Sequence, residues 1–79
     1  MNDMPEVLER LWTTAQLSAV LGQPPGRIKR LKWEFRHELP TPRRLGGADV
    51  WDEHGLEVWR QIIKREDFDR HRELTLRLA

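Results

Sequence analysis

The stretch GQPPGRIKRLKWEF, residues 22–35, carries four cationic side chains within six positions: Arg27, Lys29, Arg30 and Lys32. Guanidinium and ammonium groups bind phosphate and donate hydrogen bonds to base edges, above all to guanine. Residues 23–47 hold seven basic side chains against two acidic ones, a net charge of +5, whereas the whole chain has +1. This segregation predicts one electropositive face for a polyanion, although a basic helix whose charges are merely solvated would give the same pattern.

Other residue types give little indication of catalysis or metal binding. The only serine, Ser18, has no histidine near it in sequence, and no phosphate-binding loop is present. The histidines, His37, His54 and His71, lack the close pairing or the cysteine neighbours typical of metal ligands. We therefore expect no enzymatic activity, no metal and no cofactor.

Length and composition are typical of one small domain. The chain has 79 residues and no cysteine, which favours a reducing compartment and excludes disulfides. The acidic start, MNDMPEVLER, does not resemble a signal peptide, and no apolar run approaches the roughly 18 residues of a membrane span. We expect a cytoplasmic protein without a membrane partner, which would be nucleoid-associated if the polyanion is DNA.

Residues that typically start or end helices predict two short helices around the basic segment. Thr13 followed by Gln16 fits a capping box, so the first helix begins near Thr14 and ends at Gly22. Pro24 disfavours helical geometry at Gln23, while a second helix can begin at Pro25. A helical period places Ile28, Leu31 and Phe35 on the buried side. The opposite side then carries Gly26, Lys29, Arg30, Trp33 and His37, with Lys32 and Arg36 at the flanks.

A hairpin and a third helix follow. Gly46-Gly47 predicts a two-residue turn between short strands, in a register that places Arg44 opposite Asp49. Asp52 is a suitable N-cap for a helix that buries Leu56, Trp59 and Ile63. We assign Trp12, Trp51 and Trp59 to the core. Trp33 is interpreted either as a nucleic-acid contact or as packing against the hairpin or the C-terminal tail.

Residues 66–79, EDFDRHRELTLRLA, fit two conformations. Leu74 and Leu78 have helical spacing, whereas Leu74, Leu76 and Leu78 alternate as a strand would. Together with Phe68, these leucines exceed what the core requires. We expect the tail either to link copies of the chain on DNA as a homo-oligomer or to fold back on its own domain.

The order of these elements resembles the MerR-like and excisionase-like winged helix-turn-helix domains. The resemblance is carried by WTTAQLSAVLG, PPGRIKRLKWEF, LPTPRRLGG and VWDEHGLEVWRQI, which lie within residues 11–64. It implies a fold that is mainly α with a small β-hairpin. It divides the chain into an N-terminal extension (1–10), a winged helix-turn-helix domain (11–65) and a C-terminal tail (66–79).

The resemblance also implies which residues contact DNA. The second helix would enter the major groove, with Arg27, Lys29, Arg30 and Trp33 towards the bases, and the hairpin would hold the phosphate backbone. The expected DNA-binding set is Arg27, Lys29, Arg30, Lys32, Trp33, Arg36, Arg43 and Arg44. Where the family commonly has an arginine in the second hairpin strand, this chain has Asp49, which repels phosphate but could orient Arg44.

Function follows from the resemblance as an expectation. Few residues lie outside the DNA-binding unit, which leaves no room for a ligand-sensing domain and favours an accessory role. We expect a double-stranded DNA-binding protein, and specifically an excisionase, or recombination directionality factor, that bends DNA to steer an integrase or recombinase. One alternative is a compact MerR-like transcriptional regulator of a phage or mobile element. A different class of alternative is a protein–protein adaptor that uses the same fold.

Overall fold

The computed structural model describes residues 10–78, so all but the last residue of the predicted N-terminal extension lies outside the described residues. The chain is mainly helical with one small antiparallel sheet, as predicted. Its elements are β1 (Trp12–Thr13), α1 (Thr14–Leu21), α2 (Pro25–Glu34), β2 (Arg43–Leu45), β3 (Ala48–Trp51) and α3 (Glu53–Leu78).

The ends of α1 and α2 are set by the residues that the sequence indicates. The Thr13 hydroxyl accepts from the Gln16 backbone N–H at 3.1 Å, and the Gln16 amide oxygen accepts from the Thr13 N–H at 2.9 Å, which confirms the capping box. Gly22 ends α1 in the left-handed region, with φ of 65°. Pro25 begins α2, because its fixed φ suits the first turn and its missing N–H needs no partner there.

The sheet has the order β1-β3-β2, and all of its pairings are antiparallel. The predicted hairpin joins β2 to β3 through Gly46 and Gly47, whose φ values of 56° and 80° suit glycine, and Arg44 lies opposite Asp49 as expected. Sequence reasoning missed β1, whose Trp12 pairs with Trp51. Two residues are too few to show the alternation by which a strand is recognised.

The core lies between α1, α2, the sheet and the first half of α3. Trp51 and Trp59 meet edge to face, with ring centroids 5.5 Å apart at 85°, and Trp12 packs against this cluster while half-buried. The predicted core residues Ile28 and Leu31 of α2 and Leu56, Trp59 and Ile63 of α3 are buried, whereas Phe35 at the end of α2 is only partly buried. The buried residues are Leu17, Ile28, Leu31, Leu39, Val50, Trp51, Leu56, Trp59, Ile62 and Ile63.

Helix α3 spans 26 residues, or about 39 Å at the usual rise per residue. The Asp52 carboxylate accepts from the Gly55 N–H at 2.8 Å and caps its start, as predicted. The helix continues through residue 78, so the C-terminal tail is helical rather than extended. Phe68, Leu74 and Leu76 lie exposed along this part of it. Within residues 10–78, no helix is both long enough and apolar enough to cross a membrane.

Candidate nucleic-acid interface

The cations of α2 lie on two flanks with different neighbours. One flank faces α3 and carries Arg27, Arg30 and Glu34; we call it the α3-facing flank. The other lies beside α1 and the hairpin and carries Lys29, Lys32, Trp33 and Arg36; we call it the hairpin-facing flank. The assignment follows from the side-chain contacts of each residue.

Arg27 is fully engaged on the α3-facing flank. Its Nε and Nη2 donate to Oε1 of Glu66 at 3.2 and 2.7 Å, and Nη2 also donates to Oδ1 of Asp67 at 2.7 Å. Its Nη1 donates to Oε1 of Gln23 at 2.6 Å. Only 16% of the side chain is exposed. All three guanidinium nitrogens are thus engaged within the protein.

Arg30 extends the same network. Its Nη1 and Nη2 donate to the two oxygens of Glu66, each at 3.1 Å, and Nη1 also donates to Glu34 at 3.0 Å. Hydrogen bonds from Arg30, and then from Arg27, hold the pKa of the Glu66 carboxyl below its ordinary value, although partial burial opposes this. The Glu66 hydrogen bond raises the pKa of both arginines.

We call Arg27, Arg30, Glu34, Glu66 and Asp67 the α2–α3 ionic cluster. The family resemblance implied that Arg27 and Arg30 face the bases, whereas the structure places both against acids of α3. The acids were difficult to assign because they begin the segment whose conformation the sequence left open. A prediction that residues 66–79 continue the third helix would have placed Glu66 one turn after Ile62 and Ile63, near the core.

The hairpin-facing flank is more open. Lys29 is exposed, and no described residue forms an ion pair with it. Lys29 and Lys32 line a shallow groove between the two short helices, whose floor is largely apolar and includes Ala15, Pro25 and Ile28. The Lys29 ammonium group can therefore meet phosphate or base edges without breaking an ion pair, whereas that of Lys32 binds Asp49.

Trp33 and Arg36 form a stacked pair on this flank. The Trp33 side chain is 68% exposed. The Arg36 guanidinium carbon lies 3.9 Å from the centre of its ring, and Nη1 donates to the Trp33 carbonyl at 2.7 Å. This exposure argues against the interpretation in which Trp33 packs on the hairpin or on the C-terminal tail.

Asp49 connects the hairpin to α2. Its carboxylate accepts from Lys32 and, at 2.9 Å, from Nη1 of Arg44, while Arg44 Nη2 donates to the Gly47 carbonyl at 2.9 Å. The Lys32 hydrogen bond, followed by that of Arg44, lowers the pKa of Asp49. The predicted Asp49–Arg44 contact is therefore confirmed. Sequence reasoning missed the Lys32 contact, which fixes the hairpin against α2.

The assembled surface combines exposed cations with one exposed aromatic ring. Arg43 and Arg44 lie exposed on β2, on the hairpin that Lys32 and Asp49 hold against α2. Among residues 10–78, no group of three or more histidine or acidic side chains is arranged to hold a metal ion. Comparison of the chain with protein-family models, curated proteins and solved structures finds no match.

Proposed function

We propose that this chain is a winged helix-turn-helix protein of MerR-like or excisionase-like type that binds double-stranded DNA through α2 and the β2–β3 hairpin. The observation that carries the proposal is the hairpin-facing flank. Lys29, Arg36 and Trp33 are exposed there beside a hairpin whose Arg43 and Arg44 are also exposed. A solvated basic helix requires no such arrangement, since it would need neither an exposed indole nor an adjacent cationic hairpin.

The dimensions of duplex DNA suit this arrangement. A major groove about 12 Å wide accepts one α-helix, and lysine or arginine donates there to O6 and N7 of guanine. Gly26 begins the outward side of α2, and a Cβ at this position would have no atom within 4 Å apart from its chain neighbours and the backbone of its own helix. Packing therefore does not require glycine at position 26, whereas close approach to a DNA backbone would favour it.

The biological role in this proposal is that of an excisionase, which bends DNA and steers an integrase. Bending can be measured by placing the binding site at different positions in fragments of equal length and comparing the gel mobility of the complexes. Mobility that depends on position supports the role. A complex without bending, combined with repression of an adjacent promoter, would instead support the MerR-like regulator of a phage or mobile element.

Titration of duplex DNA at several salt concentrations tests the binding itself. The logarithm of the association constant should fall against log salt with a slope of about −0.9 per phosphate, for about four to six phosphates. Replacing Arg43 and Arg44 together by alanine should make this slope less steep by the contribution of about two phosphates. The change should be the same for every DNA sequence, because phosphate contacts position the protein on the DNA without distinguishing one sequence from another.

A matched control is available on α3. Lys64 is an exposed cation that lines a separate groove with Val20 and Leu21, so Lys64→Ala removes the same charge from a different surface. Lys29→Ala should lose DNA affinity while Lys64→Ala, which removes one charge as well, retains it. Equal losses in both would indicate only nonspecific attraction. Absence of micromolar binding at low salt would favour the protein–protein adaptor.

The proposal includes association of copies on DNA through the C-terminal half of α3. Phe68 is 65% exposed, and Leu74 and Leu76 are also exposed on this stretch. The acids Asp67 and Asp69 lie before the cations Arg70 and Arg72, so two antiparallel copies would bring opposite charges together while Asp67 keeps its hydrogen bond from Arg27. Leu74→Ser with Leu76→Ser should abolish cooperative binding to adjacent sites and retain single-copy binding. Unchanged cooperativity would remove this part of the proposal.

A further inference from the structure

Trp33 differs from the other three tryptophans, Trp12, Trp51 and Trp59, because they pack in or against the core. Its 68% exposure leaves a large apolar surface in contact with water, and no intramolecular packing explains it. The side chain is nevertheless held in place, because Arg36 both stacks on the ring and donates to the Trp33 carbonyl. An ordered, exposed indole of this kind is suited to a specific contact.

Arg36 restricts what that contact can be. A ring that intercalates between base pairs needs both faces, but the Arg36 guanidinium carbon lies 3.9 Å from the ring centre and covers one face. The other face and the edge remain available for an apolar group. In the major groove, the 5-methyl group of thymine is the apolar group that base edges present.

We propose that Trp33 contacts the 5-methyl group of a thymine in the major groove and is a specificity-determining residue of this protein. The inference rests on the proposed DNA binding. The stacked Arg36 keeps a positive charge beside the ring, towards the phosphates that flank the groove, so the pair combines an apolar contact with an electrostatic one.

Lys29 extends the inference to a short sequence pattern. It precedes Trp33 by four residues, so the two side chains lie on the same side of α2 and about 6 Å apart along its axis. One strand of DNA rises about 3.4 Å per base. A guanine recognised by Lys29 would therefore lie about one to two base steps from the thymine recognised by Trp33.

The test begins with duplexes that the protein selects from a pool of random sequence. Each thymine of the selected site is then replaced by uracil, which removes only the methyl group. At one position, uracil should raise the Kd of the unmodified protein about three- to fivefold, as expected for one lost buried methyl group. Trp33→Ala should bind the thymine duplex more weakly and show no further loss with uracil.

Val20→Ala is the control, because Val20 is an exposed apolar residue of α1 that lines the groove beside Lys64 and has no role in the proposed DNA contact. It should retain the full sensitivity to uracil. A selected site without a preferred thymine, an unmodified protein insensitive to uracil at every position, or a Trp33→Ala variant that keeps the sensitivity would overturn the assignment while leaving salt-dependent DNA binding intact. Failure to bind any duplex would overturn the proposed function together with this inference.

Discussion

The two flanks of α2 carry similar cations in different surroundings. On the α3-facing flank, Arg27 and Arg30 are held by acids of α3 and the Arg27 side chain is only 16% exposed. On the hairpin-facing flank, Lys29 is exposed and Arg36 lies over an exposed indole. The difference shows that a basic helix is not a uniform binding surface, since neighbouring elements decide which of its charges are available.

The residue types match these surroundings. A guanidinium group offers several donors in a planar fork and can bind two carboxylates at once, which suits Arg27 and Arg30 in the α2–α3 ionic cluster. An ammonium group is a compact, strongly hydrated charge, which suits Lys29 at an open surface. We therefore expect the α3-facing flank to contribute to stability and the hairpin-facing flank to binding.

The largest expected effect is on stability. Glu66→Ala should lower the free energy of unfolding by about 1–3 kcal/mol, because it leaves the largely buried Arg27 without its main partner. Lys29→Ala should change it by less than about 0.5 kcal/mol. Urea unfolding measures both. A small effect of Glu66→Ala, equal to that of Lys29→Ala, would mean that the flanks do not differ.

A second prediction compares DNA affinity between the flanks. Lys29→Ala should weaken specific binding by about 1–2 kcal/mol, within the range for loss of a base contact. Arg30→Ala should weaken it by less, because the Arg30 guanidinium is engaged by Glu66 and Glu34. Gel shifts measure affinity, and circular dichroism checks that each variant is folded. A greater loss with Arg30→Ala would return Arg30 to the base-facing role that the family resemblance implied.

A third prediction concerns Gly26, on the outward side of α2. Gly26→Ala should stabilise the protein by up to about 0.5–1 kcal/mol, because alanine favours the helix and its Cβ meets no atom here apart from its chain neighbours and the backbone of its own helix. It should weaken DNA binding, because the added methyl group would obstruct close approach. Thermal unfolding and DNA titration of the same variant measure both changes. Stabilisation with unchanged affinity would place the DNA farther from this end of the helix.

The smallest effect is a pH dependence. Because the pKa of Glu66 is lowered in the folded protein, its contribution to stability is present above the unfolded-state pKa and is lost as pH falls below about 4.5. Glu66→Gln should therefore flatten the acid limb of stability against pH. Asp49→Asn is the control from the hairpin-facing flank, and this variant should keep the pH dependence of stability that is due to Glu66. Identical profiles for Glu66→Gln and the unmodified protein would contradict the assignment.

Short-range interactions explain what the sequence predicted well. The Thr13–Gln16 capping box, the Gly46-Gly47 turn and the Asp52 cap each depend on residues within three or four positions of one another. Their free energy is set locally, so residue type and order are sufficient to place the helices and the hairpin. The periodicity of α2 likewise identified Ile28 and Leu31 as core residues.

The candidate site was only partly predictable, because the division of the α2 cations into two flanks depends on contacts between residues that are distant in sequence. Arg27 and Glu66 are 39 positions apart, and Lys32 and Asp49 are 17 apart. Helical periodicity places a charge on one side of α2 but does not indicate which element packs there. The sequence by itself determined the elements and the excess of cations between residues 23 and 47. Only the tertiary structure, by packing a continuous α3 against one flank and the hairpin beside the other, decided which cations are neutralised and which remain exposed.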